Sequence, residues 1–289
     1  MTRDNWVRSL GLDADGSLFV EIDSGIRLYD SCLQHALPGS VAISPEDLMK
    51  PENRQLYYRF LTTLKEIEGV VINSTYNGSY PFKRGDIVVD AGARIGAFSV
   101  KISAALGEEG RIIAIEPEPR NFACLRKNIE ANRLNNVVAI QKALWSQKQQ
   151  LDIYLSGNAA AHSVYHDAFY SSTGDSISVD ADTLDGILEE LDLASVDFIK
   201  MDIEGSEIEA LKGMPKALES RVQLAIAAPF QGVGGKTCAA LCIRHPGALL
   251  LVRPLPEAVL ASHAPAKNAR CARKNCRPLI KSRFGGARL

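Results

Sequence analysis

Two short blocks of the sequence hold residues whose types and spacing are suited to chemistry. One is Lys200-Met201-Asp202-Ile203-Glu204-Gly205-Ser206-Glu207, which ends an apolar run that begins at Val196. Ligands of open α/β sheets bind at such strand ends, and charged groups buried there need partners or a function. If the strand end is extended, Asp202 and Glu204 share one face. The alternative is that Glu204 and Glu207 cap the next helix, which we grant most readily for Glu207.

The other block, Asp90-Ala91-Gly92-Ala93-Arg94-Ile95-Gly96, has the composition of a ligand-binding turn between a strand and a helix. Gly92 and Gly96 let the backbone turn sharply and approach a ligand, and helix N-terminal amides favour a negatively charged group. Glu116-Pro117 ends the next apolar run, 24 residues after Gly92, where a carboxylate can accept hydrogen bonds from both ribose hydroxyls. The plainer alternative is a structural turn beside a solvated glutamate.

This turn would suit either a dinucleotide or S-adenosylmethionine, and two details favour the latter. The Gly-x-x-x-Gly spacing of Gly92 and Gly96 lacks the Gly-x-Gly-x-x-Gly pattern that packs a helix end against a pyrophosphate. Asp90 would repel a pyrophosphate, but its charge suits the ammonium and sulfonium groups of S-adenosylmethionine. We therefore predict this cofactor, bound by Asp90, Gly92, Gly96, Glu116 and Pro117.

The elements that must position these blocks alternate between buried strands and amphipathic helices from residue 85 onward. Five apolar runs predict strands at 86–90, 111–115, 137–140, 196–201 and 222–227. Apolar residues at helical spacing predict the helices between them, such as Phe98, Ile102 and Leu106 before a stop at Gly107. This alternation predicts an α/β fold with a doubly wound, Rossmann-like, mostly parallel sheet.

We divide the chain into three regions: an N-terminal α/β extension at 1–84, the Rossmann-like domain at 85–228 and a basic tail at 229–289. In the extension, the apolar runs 18–22 and 26–28 flank Asp23-Ser24-Gly25 as the strands of a hairpin would. Residues 151–180 interrupt the Rossmann-like rhythm and predict a hairpin-forming insertion.

Three blocks together resemble the FkbM-type family of S-adenosylmethionine-dependent methyltransferases. They are residues 90–96, Glu116-Pro117, and residues 200–207 with Thr183-Leu184-Asp185 before them. The last block is specific, whereas many methyltransferases share the other two. The resemblance covers residues 84–228 and implies a class I methyltransferase fold. It also implies methyl transfer to a small-molecule acceptor, usually to a hydroxyl oxygen on a sugar or natural product.

The sequence departs from the family pattern in two places. Arg94 stands where the family turn usually has Asn; it could pair with the methionine carboxylate of the cofactor or project into water, and we include it among the cofactor-binding residues. After the fifth strand the family usually continues with a Tyr-His pair, a helix and two final strands. Here Pro229-Phe230 follow, and no such rhythm is recognisable.

Methyl transfer is an in-line displacement at a sulfonium carbon, so the protein must chiefly hold the acceptor in line, and a base assists a hydroxyl acceptor. We predict Asp202 as that base or as the group that orients the acceptor, with Glu204 next to it and Lys200 steadying one of the two. His162 and His166, in the insertion, are alternative bases. Two carboxylates without a third ligand are a weak metal signal, so we predict no metal.

Two other functions compete with this interpretation. An NAD-dependent oxidoreductase would need a true pyrophosphate loop. A nucleic-acid-binding protein is suggested by residues 221–289, which contain 12 basic residues and one acidic residue, against 21 and 33 in the first 220. The tail offers only Phe230 and Phe284 as aromatic residues, so we do not favour a nucleic-acid partner.

The basic tail is rich in Ala, Pro, Arg and Gly, which is typical of a GC-rich gene read in a shifted frame. Prolines 246, 254 and 256 surround its one apolar run, 248–252. We expect residues beyond about 235 to be poorly ordered and to add no strands beside the fifth. The pairs Cys238-x-x-x-Cys242 and Cys271-x-x-x-x-Cys276 are spaced more loosely than a usual zinc site.

The overall composition, 46% hydrophobic and 23% charged, is that of a globular protein. No apolar run approaches the roughly 18–20 residues of a membrane span, and no apolar signal core follows the N-terminus. We therefore expect a cytoplasmic location and no membrane partner. The six scattered cysteines do not predict disulfides, and Cys124 is expected to be a buried thiol. The sequence does not indicate the oligomeric state.

Overall fold

A small antiparallel sheet precedes the parallel one. The computed structural model describes residues 6–32, 41–42, 45–73, 76, 80–156, 162–164, 172–220, 222–227 and 249–253. The first elements are β1 (Val7–Leu12), β2 (Ser17–Ile22), β3 (Arg27–Cys32), β4 (Val41–Ala42), α1 (Pro45–Leu48) and α2 (Arg54–Glu66), which continues into a π-helical turn at Ile67–Ile72. The sheet order is β3-β2-β1-β4, and the predicted hairpin is its β2–β3 pair.

The second sheet holds the alternating strands of the central region. Its elements and those around it are β5 (Ile87–Ala91), α3 (Ala97–Leu106), β6 (Arg111–Ile115), α4 (Pro119–Ala131), β7 (Val137–Ile140), β8 (Ala143–Leu144), β9 (Gln149–Ser156), β10 (Ser172–Asp182), α5 (Leu184–Glu190), β11 (Phe198–Met201), α6 (Glu207–Lys212), α7 (Pro215–Glu219), β12 (Gln223–Ala227) and β13 (Leu249–Arg253). The strand order is β13-β12-β11-β5-β6-β7, and all neighbours are parallel. The predicted α/β fold is confirmed.

Helices cover both faces of this sheet, as a doubly wound fold requires. Val88 and Val89 are consecutive residues of β5 and therefore point to opposite faces. Val89 packs in a core with Leu184 and Leu188 of α5, whereas Val88 packs in a core with Phe98 of α3. All five side chains are buried.

The strand order reverses at β5. The chain runs outward through β5, β6 and β7, and then returns to place β11 on the other side of β5. In the parallel register of these two strands, Lys200 lies opposite Asp90. The carboxyl ends of β5 and β11 therefore border the crevice in which ligands of open α/β sheets bind.

The predicted insertion forms a separate three-stranded sheet in the order β8-β10-β9, in which β9 and β10 are antiparallel. Its buried face includes Ile153 and Val179. The insertion returns to the parallel sheet through Thr183, whose hydroxyl accepts the Gly186 amide hydrogen at 2.9 Å and so caps α5. The hairpin was predicted from the sequence.

One expectation about the tail is wrong. Leu249–Arg253 pairs with β12 as a sixth parallel strand, because this segment is mostly apolar, contains no proline and can cover the free edge of β12. The chain divides into two compact units, Met1–Pro254 and Leu255–Leu289, and the second lies outside the described residues. The region boundaries 84 and 228 stay predictions. Within the described residues, no helix has the length and apolarity to cross a bilayer.

Candidate active site

The two chemistry-bearing blocks touch each other at the carboxyl ends of β5 and β11. Gly92 has a left-handed backbone, with φ of +71°. A Cβ atom on Gly92 would lie 1.9 Å from the backbone oxygen of Asp202 and 2.8 Å from its carbonyl carbon. Real Cβ contacts are never this short, so glycine is required at position 92 by a tertiary contact as well as by its dihedral angle.

Lys200 of β11 bonds both to the end of β5 and to the turn at residues 92–96, here called the glycine turn. Its ammonium donates to Asp90 Oδ1 at 2.9 Å, to the Gly92 oxygen at 2.7 Å and to the Ala91 oxygen at 3.4 Å. Asp90 is fully buried and also accepts the Ser99 hydroxyl at 2.7 Å. The prediction that Lys200 steadies Asp202 or Glu204 is therefore wrong: the parallel register places Lys200 beside Asp90, whose charge it balances.

Asp202 is half-buried and has a partner that the sequence did not suggest. The Tyr76 hydroxyl donates to Asp202 Oδ2 at 2.5 Å, and the Lys200 ammonium lies 5.1 Å from the centre of the Tyr76 ring. Burial, and then the charge of Asp202, raise the pKa of Tyr76 well above its usual value, so the phenol keeps its proton. The sequence did not indicate this contact, because nothing in local spacing links residues 126 positions apart.

Glu204 does not lie on an extended strand end. It has a left-handed backbone with φ of +53° and is followed by Gly205 at +102°, so the chain turns immediately after Asp202. The predicted shared face of Asp202 and Glu204 is therefore wrong. The Ser163 hydroxyl, from the insertion, donates to the Glu204 backbone oxygen at 2.8 Å and holds this turn.

Glu207 serves the turn from the start of α6. Its Oε1 accepts the Gly205 amide at 3.2 Å and the Ile203 amide at 3.4 Å. Burial raises the pKa of Glu207 to about 7 against the lowering effect of these amides. Glu207 thus binds amides of the turn before α6 and does not cap the helix, whose N-cap residue is Ser206 and has no side-chain cap hydrogen bond.

Glu116 lies where the ribose-binding carboxylate was predicted, at the end of β6. Its Oε2 accepts the Arg94 amide at 2.9 Å, and its Oε1 accepts the Glu118 amide at 3.1 Å and the Asn121 side chain at 3.4 Å. Burial raises the pKa of Glu116 to about 7 in spite of these hydrogen bonds. Pro117 is half-buried between Glu116 and Glu118, and Glu118 caps α4 by accepting the Asn121 amide at 2.7 Å.

Gly96 forms the other end of the glycine turn. It has φ of +82° and directly precedes α3. A Cβ atom there would lie 2.5 Å from Cδ1 of Leu125 on α4. Gly96 thus lets the start of α3 lie close to the middle of α4.

Arg94 has a different partner from either of those expected. Its side chain neither projects into water nor points at the cofactor crevice, because it is 9% exposed and forms ion pairs with Asp30 of β3, at 2.8 Å, and with Glu66 of α2. Only its backbone amide, donated to Glu116, faces the predicted cofactor site. The assignment of the Arg94 side chain to cofactor binding is therefore corrected.

His162 lies in the insertion and is half-buried. Burial lowers the pKa of its imidazole, and the charges of Arg94 and Arg120 lower it further, whereas the charge of Glu118 raises it. The other histidine predicted as a base, His166, lies outside the described residues, as do the cysteines at 238, 242, 271 and 276.

Two of the other expectations concern metals and thiols. In the part of the chain that the structure describes, no three His, Cys, Asp or Glu side chains form a cluster able to hold a metal ion. Cys124 is a buried free thiol, as predicted, and burial raises its pKa to about 12.

The glycine turn, Glu116 and the residues after β11 all lie in one stretch of sequence that matches a known family. Residues 90–234, just over half of the chain, match the methyltransferase FkbM domain. The chain belongs to the FkbM methyltransferase family. The matched residues begin at Asp90 and include β11 and the turn after it, so every predicted site residue lies inside the family domain, whereas Tyr76 lies before it.

Individual known proteins are more distantly similar to the chain. Methyltransferase 1 of Beauveria bassiana is 26% identical over 151 residues, which are 46% of this chain and 60% of that protein. The hexuronic acid methyltransferase AglP of Haloferax volcanii is 28% identical over 137 residues, which are 47% of this chain and 52% of that protein. The chain thus spans little more than half the length of these relatives. The crystal structure of methyltransferase FkbM from Methylobacillus flagellatus is 26% identical, with a TM-score of 0.38, over 52% of this chain and 35% of that one.

Proposed function

We propose that the protein is an S-adenosylmethionine-dependent methyltransferase that methylates a hydroxyl oxygen of a small molecule. The observation that carries the proposal is the contact of Gly92 with the Asp202 backbone. This contact brings the glycine turn and Asp202, directly after β11, together in one crevice. The crevice lies where the strand order reverses, and membership of the FkbM methyltransferase family supports the assignment.

The residues around Glu116 fit the cofactor. A carboxylate offers about four acceptor positions, and Glu116 receives three donors, one of them at the long distance of 3.4 Å. About one acceptor position is therefore left for a ribose hydroxyl, and the left-handed turn from Gly92 to Gly96 lets the backbone come close to a ligand. Asp90 acts differently from our sequence-based expectation, since Lys200 balances its charge within the protein.

Bound S-adenosylmethionine supplies a methyl group on a sulfonium that is already a good leaving group. The protein then has to hold the acceptor oxygen in line and remove its proton. Asp202 is the base that accepts this proton, which general-base catalysis makes worth about 10²–10⁴-fold in rate. Tyr76 is a positioning residue, because its hydroxyl holds one Asp202 oxygen and leaves the other to face the acceptor.

The acceptor class is proposed from the family and from one relative. The similarity to a hexuronic acid methyltransferase favours a sugar, and in particular a uronic acid, among hydroxyl acceptors. Glu204 borders the same turn through its backbone, and the insertion holds this turn through Ser163. We propose that the insertion contacts the acceptor. A natural product with a free hydroxyl is the other acceptor of this class.

A binding experiment with three adenosine-containing ligands tests the proposal. S-adenosylmethionine and S-adenosylhomocysteine should raise the melting temperature, whereas NAD should not, and tritiated methyl groups should pass from S-adenosylmethionine to a member of a panel of sugars and uronic acids. Stabilisation by NAD with no response to S-adenosylhomocysteine would overturn the methyltransferase assignment in favour of the oxidoreductase. Binding of S-adenosylhomocysteine with transfer only to nucleic acid would replace the acceptor class.

A further inference from the structure

One buried side chain of the glycine turn reaches the N-terminal extension. Arg94 belongs to the turn between β5 and α3, yet its guanidinium pairs with Asp30 of β3 and with Glu66 of α2. Asp30 Oδ2 also accepts the Thr63 hydroxyl, at 2.6 Å. Asp30 and Arg94 are both less than a tenth exposed, so this ion pair is shielded from solvent.

The backbone of the same residue is held in an unfavourable conformation. Arg94 has φ of +51°, a region that non-glycine residues occupy only when their surroundings hold them there. Its amide hydrogen is donated to Glu116 Oε2 at 2.9 Å. The side chain therefore anchors a strained backbone position that orients the carboxylate proposed to bind ribose.

The extension itself is fixed against the turn by a second contact. Asn128 of α4 accepts the Tyr29 amide at 2.6 Å and donates to the Tyr29 oxygen at 2.9 Å and to the Ile95 oxygen at 2.7 Å. Tyr29 directly precedes Asp30, and Ile95 directly follows Arg94. One buried amide thus aligns β3 with the glycine turn, and the ion pair forms between residues whose positions are already set.

From these contacts we infer that Asp30 and Glu66 are positioning residues for the cofactor. They hold Arg94, and through it the turn from Gly92 to Gly96, in the conformation that binds S-adenosylmethionine. This inference rests on the proposed function. It assigns to the extension, which lies outside the residues matched by the family domain, a direct share in cofactor affinity.

The test compares two variants of the protein. One is a double variant that carries both Asp30→Asn and Glu66→Gln, and the other is a control that carries only Glu21→Gln. Glu21 pairs with Arg27 in the same N-terminal sheet but contacts no residue of the glycine turn through that pair, so it controls for loss of a carboxylate in the extension. Affinity for S-adenosylhomocysteine is measured by calorimetry, and hydrogen exchange of amides 92–96 is measured in the protein without ligand. We expect the double variant to bind about tenfold more weakly, a usual coupling between sites, and to exchange faster at these amides. The control should change neither.

Two further variants keep the test decisive. If the double variant fails to fold, the two single variants replace it, and each should bind S-adenosylhomocysteine more weakly than the wild type. Arg94→Lys keeps the charge but not the forked geometry, so its affinity should lie between those of the wild type and the double variant. Wild-type affinity and wild-type exchange in a folded double variant would overturn the inference. If the wild-type protein itself does not bind S-adenosylhomocysteine, the proposed function fails, and unchanged exchange at 92–96 would separately refute the role of the ion pairs.

Discussion

The Cα atom of Gly92 faces the backbone carbonyl of Asp202 so closely that a Cβ atom would lie 1.9 Å from the carbonyl oxygen. The glycine turn and the backbone of Asp202 are therefore in direct contact, and a change in either displaces the other.

Gly92→Ala should abolish binding of S-adenosylhomocysteine, because the new methyl group displaces the Asp202 backbone and distorts the turn. Gly85→Ala is the matched control. Gly85 also has a left-handed backbone, with φ of +87°, but an added Cβ would meet no atom within 4 Å. The control should show only the general penalty of a left-handed alanine, about 1–2 kcal/mol of unfolding free energy. Equal loss of binding in both variants would assign the effect to backbone strain alone.

Lys200→Met should destabilise the protein by about 3–5 kcal/mol, because it leaves the buried carboxylate of Asp90 without its compensating charge. The double variant Lys200→Met with Asp90→Asn should recover much of that loss, since neither charge is then buried alone. Urea denaturation of the two single variants and the double variant measures the coupling directly. Strictly additive losses would show that the two groups do not balance each other.

Glu116 should make stability depend on pH. Burial raises its pKa to about 7 from 4.5, so the native state holds a proton that the unfolded chain releases between these values. Stability therefore falls as pH rises from about 4.5 to 7, by up to about 3 kcal/mol for this group. Glu116→Gln should flatten part of the slope, measured by urea denaturation across this range. Glu207, with a pKa also raised to about 7, should supply the remainder.

Asp202→Asn should reduce turnover by about 10²-fold or more, as expected for loss of a general base, while affinity for S-adenosylhomocysteine stays within a few-fold. Tyr76→Phe keeps the ring that packs edge-on against Phe98 and removes only the hydrogen bond to Asp202, so it should reduce turnover by a smaller factor. In the Asp202→Asn background, Tyr76→Phe should add little. A full independent effect of Tyr76→Phe there would place the tyrosine in a separate role.

Much of the fold and part of the site could be predicted from local patterns. The five predicted strands, the helix stop at Gly107 and the Thr183 cap depend on periodicity and turn chemistry within a few residues. The same local rules placed Gly92 and Glu116 at strand ends, and parallel strands bring those ends together at one edge. These features follow from the sequence because each is decided by neighbours along the chain.

The tertiary structure alone decided which side chains meet. Lys200 pairs with Asp90 across 110 residues, and Tyr76 reaches Asp202 across 126, so no spacing in the sequence reveals either contact. Arg94 is charged and lies in a turn, so its neighbours along the chain favour an exposed side chain. In the fold, β3 and α2 pack against it and supply two carboxylates. Charged side chains are satisfied by whichever partners the packing of distant segments brings within a few ångströms, and that is a property of the whole fold.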